Sequence, residues 1–192
     1  MPLILFNKPF QVLCQFSRDD ERRPGSASLA DYLAIPNIYP AGRLDADSEG
    51  LMLLTDDGRL QHQIAHPDHK EAKTYLVQVE GVADPAALAR LQAPLDLGDF
   101  VTQPCRAVRI AEPDWLWPRN PPIRTRQDKP TSWIAMTLGE GKNRQVRRMT
   151  ATVGLPTLRL VRSSIGPFSL ATHPLMPGEW MEVPAAALGA KR

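Results

Sequence analysis

The sequence lacks the features that mark secreted, zinc-stapled and membrane-spanning proteins. Its only cysteines, Cys14 and Cys105, are too few for a disulfide framework or a structural zinc site, and they fit a reducing compartment. The apolar residues 3–6 form too short a run for a signal peptide, and no later run is long enough to span a membrane. We therefore expect a cytoplasmic protein with no membrane contact.

A strong excess of charge of one sign is also missing. The formal net charge of +2 gives only a weak general signal for nucleic-acid binding, so the distribution of charge matters more. Residues 45–57 hold five acidic groups and no basic one, whereas residues 139–162 hold six basic groups and one acidic group. Any anionic partner should therefore meet a local patch.

Length and pattern predict the fold class. A chain of 192 residues, 43% of them apolar, suits one domain over 1–192, or two closely packed subdomains. Apolar runs and alternation predict strands, and these outnumber three helices at 59–65, from Asp84 through Leu91 and at 143–153. We expect an α+β fold with a mixed, mostly antiparallel sheet and flanking helices. The predicted strands cover residues 3–6, 12–16, 51–55, 75–79, 105–110, 133–138, 158–161 and 180–183.

The acidic loop at residues 42–58 runs into a buried strand, and three interpretations apply to it. It can be a solvated loop. It can be a calcium loop, although Asp56 stands where that loop needs a bidentate glutamate. It can be catalytic, with Asp45 as the reacting carboxylate and Arg43 keeping it ionised. A metal site built from His62, His66 and His69 lacks the carboxylate or thiol ligands that would complete it.

Two further segments favour an anionic partner. In the helix at 143–153, capped by Asn143 and ended by Gly154, an apolar face adjoins an arginine face formed by Arg144, Arg147 and Arg148. Arginine forks suit phosphates, although a solvated basic face is the ordinary alternative. Residues 113–132 interleave tryptophans and cations among five prolines, a mixture that suits stacking on unpaired bases or pinning a loop to the core.

Four motifs resemble those of the RsuA-type pseudouridine synthases. Residues 42–51 resemble the catalytic loop, residues 73–75 the Lys-x-Tyr strand, residues 141–149 the basic helix, and residues 7–9 the opening turn. Within the family, residues 115–124 and 130–133 resemble an insertion of members that act on large-subunit ribosomal RNA. Most relatives carry an N-terminal S4-type RNA-binding domain. Here the catalytic motifs begin at Leu3, so we expect no S4 domain and expect the catalytic domain to dock the RNA.

The resemblance implies that the chain isomerises a uridine in large-subunit (23S) ribosomal RNA. Asp45 would start glycosidic cleavage, by attack at C1′ or by removal of the C2′ proton. Arg147 matches the arginine that pairs with this aspartate, Arg43 matches a residue that helps open the RNA, and Tyr75 matches one that stacks on the uracil. Cations near these residues and in the 113–132 insertion loop are predicted to bind RNA: Lys8, Lys73, Arg119, Arg124, Arg126, Lys142, Arg144, Arg148, Arg159 and Arg162.

The implied reaction involves no redox change, so we expect no metal and no organic cofactor. We also expect a monomer without an obligate protein partner. A rival function from another class is a non-catalytic factor that binds ribosomal RNA during assembly. The presence of Asp45, Tyr75 and Arg147 speaks against it, because a protein that has lost catalysis is free to lose these residues.

Overall fold

The chain forms two compact units, comprising Met1–Glu71 with Ser164–Arg192, and Ala72–Ser163. A computed structural model describes most of both units, and His66 and His69 of the metal interpretation lie outside the described part. Among the described residues, no helix is long and apolar enough to cross a lipid bilayer. The described residues are 2–17, 25–65, 71–124, 126 and 128–188.

The first unit is built on antiparallel strands with β1 at their centre. β1 (Leu3–Lys8) pairs with β3 (Glu49–Thr55) on one side and with the last strand, β9 (Trp180–Val183), on the other. Every residue of β1 and β3 is buried, as expected for the apolar runs at their centres. The polar residues at the strand ends are buried as well: Asn7, Lys8, Glu49 and Thr55. The smaller elements of this unit are β2 (Tyr39–Pro40), α1 (Gly58–Ala65), β8 (Phe168–Ser169) and 3₁₀ turns at Leu29–Asp31 and Ala185–Leu188.

The second unit contains four strands in the spatial order β5 (Arg106–Ile110), β6 (Thr131–Leu138), β4 (Lys73–Glu80) and β7 (Thr157–Ile165). β6 is antiparallel to both of its neighbours. Apolar residues from these strands and from two helices share one core, which includes Val77, Ile134 and Met149. The unit boundary falls within β7, after Ser163. The two helices are α2 (Pro85–Gln92) and α3 (Gln145–Thr152).

The predicted α+β class is confirmed, and so are most element positions. The alternating residues 75–79 lie within β4, and the Asp84 carboxylate caps α2 by accepting from the Ala87 amide at 2.8 Å. Gly154 adopts a φ of +84° just past α3, as a helix-ending glycine does.

The predicted strand at residues 12–16 is wrong. This segment makes only an isolated bridge from Leu13 to Ser28. Gln11 has a φ of +62°, and the Val12 carbonyl accepts a hydrogen bond from the Lys8 ammonium instead of joining a strand ladder. The apolar pattern was correct for burial, since Val12, Leu13 and Cys14 are buried. It did not specify the hydrogen-bond partners of the backbone.

The predicted start of the basic helix is also wrong. α3 begins at Gln145, and its N-cap residue is Arg144, in the left-handed conformation with a φ of +49°. The side-chain oxygen of Gln145 accepts a hydrogen bond from the Lys142 amide at 3.0 Å. Gln145 therefore satisfies a backbone amide before the helix, where the sequence predicted a cap by Asn143. A turn closed between Lys142 and Gln145 therefore precedes the helix.

Candidate active site

In the first unit, Asp45 opens a tight turn that leads directly into the buried strand β3. The Ser48 amide donates to the Asp45 carbonyl at 3.0 Å, and Ser48 and Glu49 are buried. Asp45 is half-buried, and Arg43, two residues earlier, is exposed. The predicted reacting carboxylate thus stands on a short turn fixed to a rigid element, which is where a reactive group is best held in place.

The segment at residues 8–11 holds the Asp45 turn in place through the carbonyl of Ala46. That oxygen accepts the Gln11 amide at 2.7 Å and the Lys8 ammonium at 3.3 Å. The same ammonium donates to the carbonyls of Pro9 and Val12, both at 2.9 Å. Lys8 therefore ties the end of β1 to the residue that follows Asp45.

The surroundings of Lys8 are acidic. Burial lowers the pKa of its ammonium to about 8, and the nearby Cys14, Glu49, Asp47 and Asp45 oppose that shift. Its side chain is completely buried. RNA contact by Lys8 therefore stays a prediction that its burial does not favour. All its described hydrogen bonds go to backbone carbonyls, and one of these belongs to the Asp45 turn.

In the second unit, Tyr75 and Lys73 lie two residues apart on β4 and so share one face of the strand. The same face carries Val77 and Val79, which are fully buried in the core. Tyr75 packs against that core but is only half-buried. Its ring is thus supported on the core side and retains accessible surface.

Helix α3 has the two faces that its sequence predicts. Val146, Met149 and Thr150 are buried, whereas Arg147 and Arg148 are half-buried and Arg144 is exposed. Helical spacing accounts for this separation, because residues three and four apart lie on the same side. Arg144 and Arg147 thus stand at the start of a helix that is anchored by its apolar face.

Gln145 organises the loop before α3, although no sequence pattern predicts a structural role for it. Its amide nitrogen donates to the Glu140 carboxylate at 2.6 Å, and that carboxylate also accepts the Gln103 amide at 2.8 Å. Gln145 is 4% exposed. A glutamine among four cations in the segment 141–149 looks like one more surface residue, and only its burial shows otherwise.

Arg148 is engaged within its own unit. Its guanidinium forks onto the Asp99 carboxylate, donates to the Leu97 carbonyl at 2.6 Å, and lies 5.2 Å from the centre of the Phe100 ring. This pairing holds the pKa of the Asp99 carboxyl below its usual range. Lys142 lies over the same ring at 5.6 Å. Two of the predicted RNA-binding cations, Lys142 and Arg148, therefore lie over the ring of Phe100.

Two other predicted RNA-binding residues, Arg159 and Arg162, are buried at 3% exposure each. Arg159 donates to the Trp117 carbonyl at 2.9 Å, and its guanidinium lies 5.7 Å from the centre of that ring. RNA contact by Arg159 stays a prediction that its burial does not favour, and its described contacts hold Trp117 in place. For Arg162, RNA contact stays a prediction that its burial does not favour.

The cations of the insertion loop differ in what they contact. Arg119 donates to the carbonyls of Pro121 and Pro122 at 2.8 and 3.2 Å. Arg126 lies 3.8 Å from the Glu80 carboxylate, which Lys129 also approaches. Arg124 is exposed and makes no hydrogen bond or ion pair with the residues that the structure describes. Of these four, Arg124 is the exposed cation whose guanidinium has no described partner to give up on meeting a phosphate.

The structure thus assembles two groups of candidate residues, one in each unit. Asp45 and Arg43 share the first unit with Lys8, and Tyr75 and Arg147 belong to the second. The pairing of Arg147 with Asp45 stays a prediction. Across the described ranges, no cluster of three or more histidine, cysteine, aspartate or glutamate side chains could hold a metal ion.

Comparison with known sequences finds the same family along most of the chain. The family described as RNA pseudouridylate synthase matches residues 2–152. A protein of Xanthomonas campestris named ribosomal large subunit pseudouridine synthase E is 50% identical over 190 residues, covering 99% of this chain and all of that protein. A protein of the same name from Vibrio vulnificus is 50% identical over 181 residues, covering 94% of this chain and 74% of that protein.

A solved structure shows a similar fold. The crystal structure of a pseudouridylate synthase superposes with a TM-score of 0.74 at 27% sequence identity, covering 98% of this chain and 72% of that one. The predicted resemblance to pseudouridine synthases is therefore confirmed by both sequence and fold.

Proposed function

Since the chain belongs to the RNA pseudouridylate synthase family, we propose that it converts one uridine of large-subunit (23S) ribosomal RNA into pseudouridine. The observation that carries the choice of RNA is the relative named for the large ribosomal subunit, which is 50% identical over nearly the whole chain. The exposed cations Arg124, Lys142 and Arg144 supply a surface suited to phosphates.

The reaction is an isomerisation that keeps every atom and electron of the nucleotide. The bond from N1 of uracil to C1′ of ribose breaks, the base turns, and a bond from C5 to C1′ forms. C5 loses a proton and N1 gains one. The protein therefore has to start bond cleavage, hold the freed uracil and move protons, and we propose that it does so without a metal or organic cofactor.

We assign the first step to Asp45. Its turn is held by Ser48 on one side and by the Lys8 ammonium on the other, so the carboxylate reacts from a fixed position. Two routes begin at such a group: attack on C1′, or removal of the C2′ proton. Both routes need a carboxylate that is ionised.

The remaining roles follow the family resemblance. Tyr75, supported by the core on one side, stacks on the uracil and relays the C5 proton, with Lys73 as a neighbouring cation. Arg147 pairs with Asp45. Arg43, exposed beside the reacting carboxylate, helps open the RNA. Extracting the base from its stack costs roughly a few kcal/mol, which contacts to phosphates can offset.

We further propose that the protein acts in the cytoplasm as a monomer, without an obligate protein partner. The ribosomal RNA substrate supports that compartment, and the two cysteines, free in the structure, are compatible with it.

The test is to map pseudouridine in ribosomal RNA from cells that lack this protein. We expect one large-subunit uridine to remain unmodified, and expect the wild-type chain but not Asp45→Asn to restore it. Asp47→Asn is the matched control, because Asp47 is also half-buried in the same loop and has no proposed catalytic role.

Purified Asp45→Asn should fold normally and bind 23S transcript as the wild type does, since the change keeps the size of the side chain. Turnover by this variant would overturn the assignment of Asp45. An unchanged pseudouridine map in the deletion strain would favour the non-catalytic assembly factor instead.

A further inference from the structure

The loop between β5 and β6 holds two tryptophans in opposite environments. Trp117 is 5% exposed, whereas Trp115, two residues earlier, is 39% exposed. A loop that only needs pinning to the core requires one buried indole. The exposure of the second therefore calls for an explanation of its own.

Trp117 is fixed at both its backbone and its ring. The buried Arg159 donates to its carbonyl at 2.9 Å and places a guanidinium 5.7 Å from its ring centre. A buried guanidinium with these contacts is costly to displace, because moving it would leave a desolvated charge without its partner. Trp117 is thus a rigid support within the loop.

Trp115 leans on that support. The two ring centroids lie 6.5 Å apart with the planes tilted by 49°, within the range in which aromatic pairs attract. The Leu116 amide closes a turn onto the Pro113 carbonyl at 3.0 Å. The anchored ring of Trp117 and the closed turn thus both restrict Trp115, while over a third of its surface remains accessible.

The charge of the same loop identifies the class of partner. Residues 113–132 hold four basic side chains and two acidic ones: Arg119, Arg124, Arg126 and Lys129, against Asp114 and Asp128. Arg124 is exposed and bonds to no residue in the described part of the chain. An exposed indole face together with an exposed guanidinium in the same loop matches a strand of unpaired nucleotides, because every base has a face that stacks and every linkage carries a phosphate.

We propose that Trp115 is a stacking platform for an unpaired base of the RNA substrate, positioned by the anchored Trp117. The inference deepens the proposed function and rests on it for the identity of the RNA. It assigns the two tryptophans different roles: Trp117 supports the loop, and Trp115 contacts the ligand.

The first experiment measures binding of the full chain to a 12-nucleotide RNA of mixed sequence without self-complementarity, and to the same sequence as a paired duplex. Trp115→Leu should weaken binding of the single strand by about tenfold, the loss expected for one stacked base, and leave the duplex unchanged. Trp115→Phe should retain most of the affinity. Trp180→Leu is the matched control, because Trp180 is 43% exposed in the other unit.

A spectroscopic arm reports on stacking directly. The single strand should quench tryptophan fluorescence in the wild type and in Trp180→Phe, and most of that quenching should vanish in Trp115→Phe. Two outcomes would overturn the platform. One is that Trp115→Leu loses the same affinity for the duplex as for the single strand. The other is that Trp115→Leu binds the single strand as tightly as Trp180→Leu does.

The second experiment separates this inference from the proposed function. On 23S transcript, Trp115→Leu should raise KM by about tenfold with kcat unchanged, since the platform binds RNA but does not touch the reacting atoms. If Trp115→Leu isomerised the transcript normally with an unchanged KM, the stacking role of Trp115 would be wrong and the proposed function would be unaffected. If the wild-type chain bound the single strand through Trp115 but modified no ribosomal RNA, the proposed function would fail and single-strand binding by Trp115 would stand.

Discussion

At the residue scale, Lys8 has an environment very different from that of its free amino acid. It is a completely buried ammonium whose three described hydrogen bonds go to backbone carbonyls. Burying a cation costs free energy, and the acidic groups around it recover only part of that cost. The chain retains this residue next to the predicted catalytic carboxylate, where the ammonium both fixes the turn and supplies positive charge.

This arrangement predicts an unusual pH dependence of stability. Below pH 8 Lys8 is charged in both folded and unfolded chains. Between pH 8 and 10.5 the folded chain has released the proton while the unfolded chain still holds it, so the free energy of unfolding should rise with pH. The lowered pKa corresponds to a gain of about 3 kcal/mol across this range.

The measurement is denaturant unfolding of the wild type and of Lys8→Met at several pH values from 7 to 10.5. Other groups titrate in the same range, so the informative quantity is the difference between the two chains. The wild type should gain stability relative to Lys8→Met as pH rises. Parallel curves would show that the pKa of Lys8 is not lowered in the folded chain.

At the element scale, α3 shows how one basic helix divides its cations between two tasks. Arg144 is exposed at the N-cap, whereas Arg148 is bound to Asp99, Leu97 and Phe100. An arginine already engaged by a carboxylate has less to gain from a phosphate. Through Arg148, the loop at residues 97–100 is bound to α3.

We therefore expect Arg144→Gln and Arg148→Gln to differ in a salt series on 23S transcript. Arg144→Gln should flatten the dependence of log affinity on log salt by about one unit, since this exposed guanidinium is placed to meet a phosphate. Arg148→Gln should lower the unfolding midpoint and flatten the slope less, because its contacts lie within the chain.

Asp99→Asn is the control for this comparison, since it breaks the same ion pair and keeps the arginine. It should lower the midpoint less than Arg148→Gln does, because the contacts to Phe100 and the Leu97 carbonyl remain. If Arg148→Gln flattened the salt slope as much as Arg144→Gln without affecting stability, Arg148 would be a phosphate contact after all.

At the scale of the whole molecule, the reaction sets what the chain must supply. Conversion of uridine to pseudouridine changes no oxidation state, so carboxylate, phenol and guanidinium groups suffice in principle. We expect protein that has been treated with a chelator and desalted to isomerise pre-folded 23S transcript at the full rate with magnesium as the only divalent ion, since magnesium folds the RNA. Activity that returned only after one transition metal was added back would contradict a metal-free reaction.

The sequence by itself determined the features that depend on near neighbours. Alternation placed β4, the Asp84-Pro85 pair placed the start of α2, and Gly154 placed the end of α3. Helical spacing also gave the buried face of α3. These predictions succeeded because strand alternation, capping and helix periodicity act over a few residues. The ordered family motifs, with Asp45 among them, were equally visible in the sequence.

Only the tertiary structure decided which polar residues serve the surface and which serve the interior. Arg159 and Arg124 read alike in the sequence, but Arg159 is buried against Trp117, 42 positions away, and Arg124 is exposed. Arg148 meets Asp99 across 49 positions, and Lys8 reaches Ala46 across 38. A side chain's burial and its partners are set by which distant segments pack around it. Local pattern therefore identified the cations, and long-range packing assigned their roles.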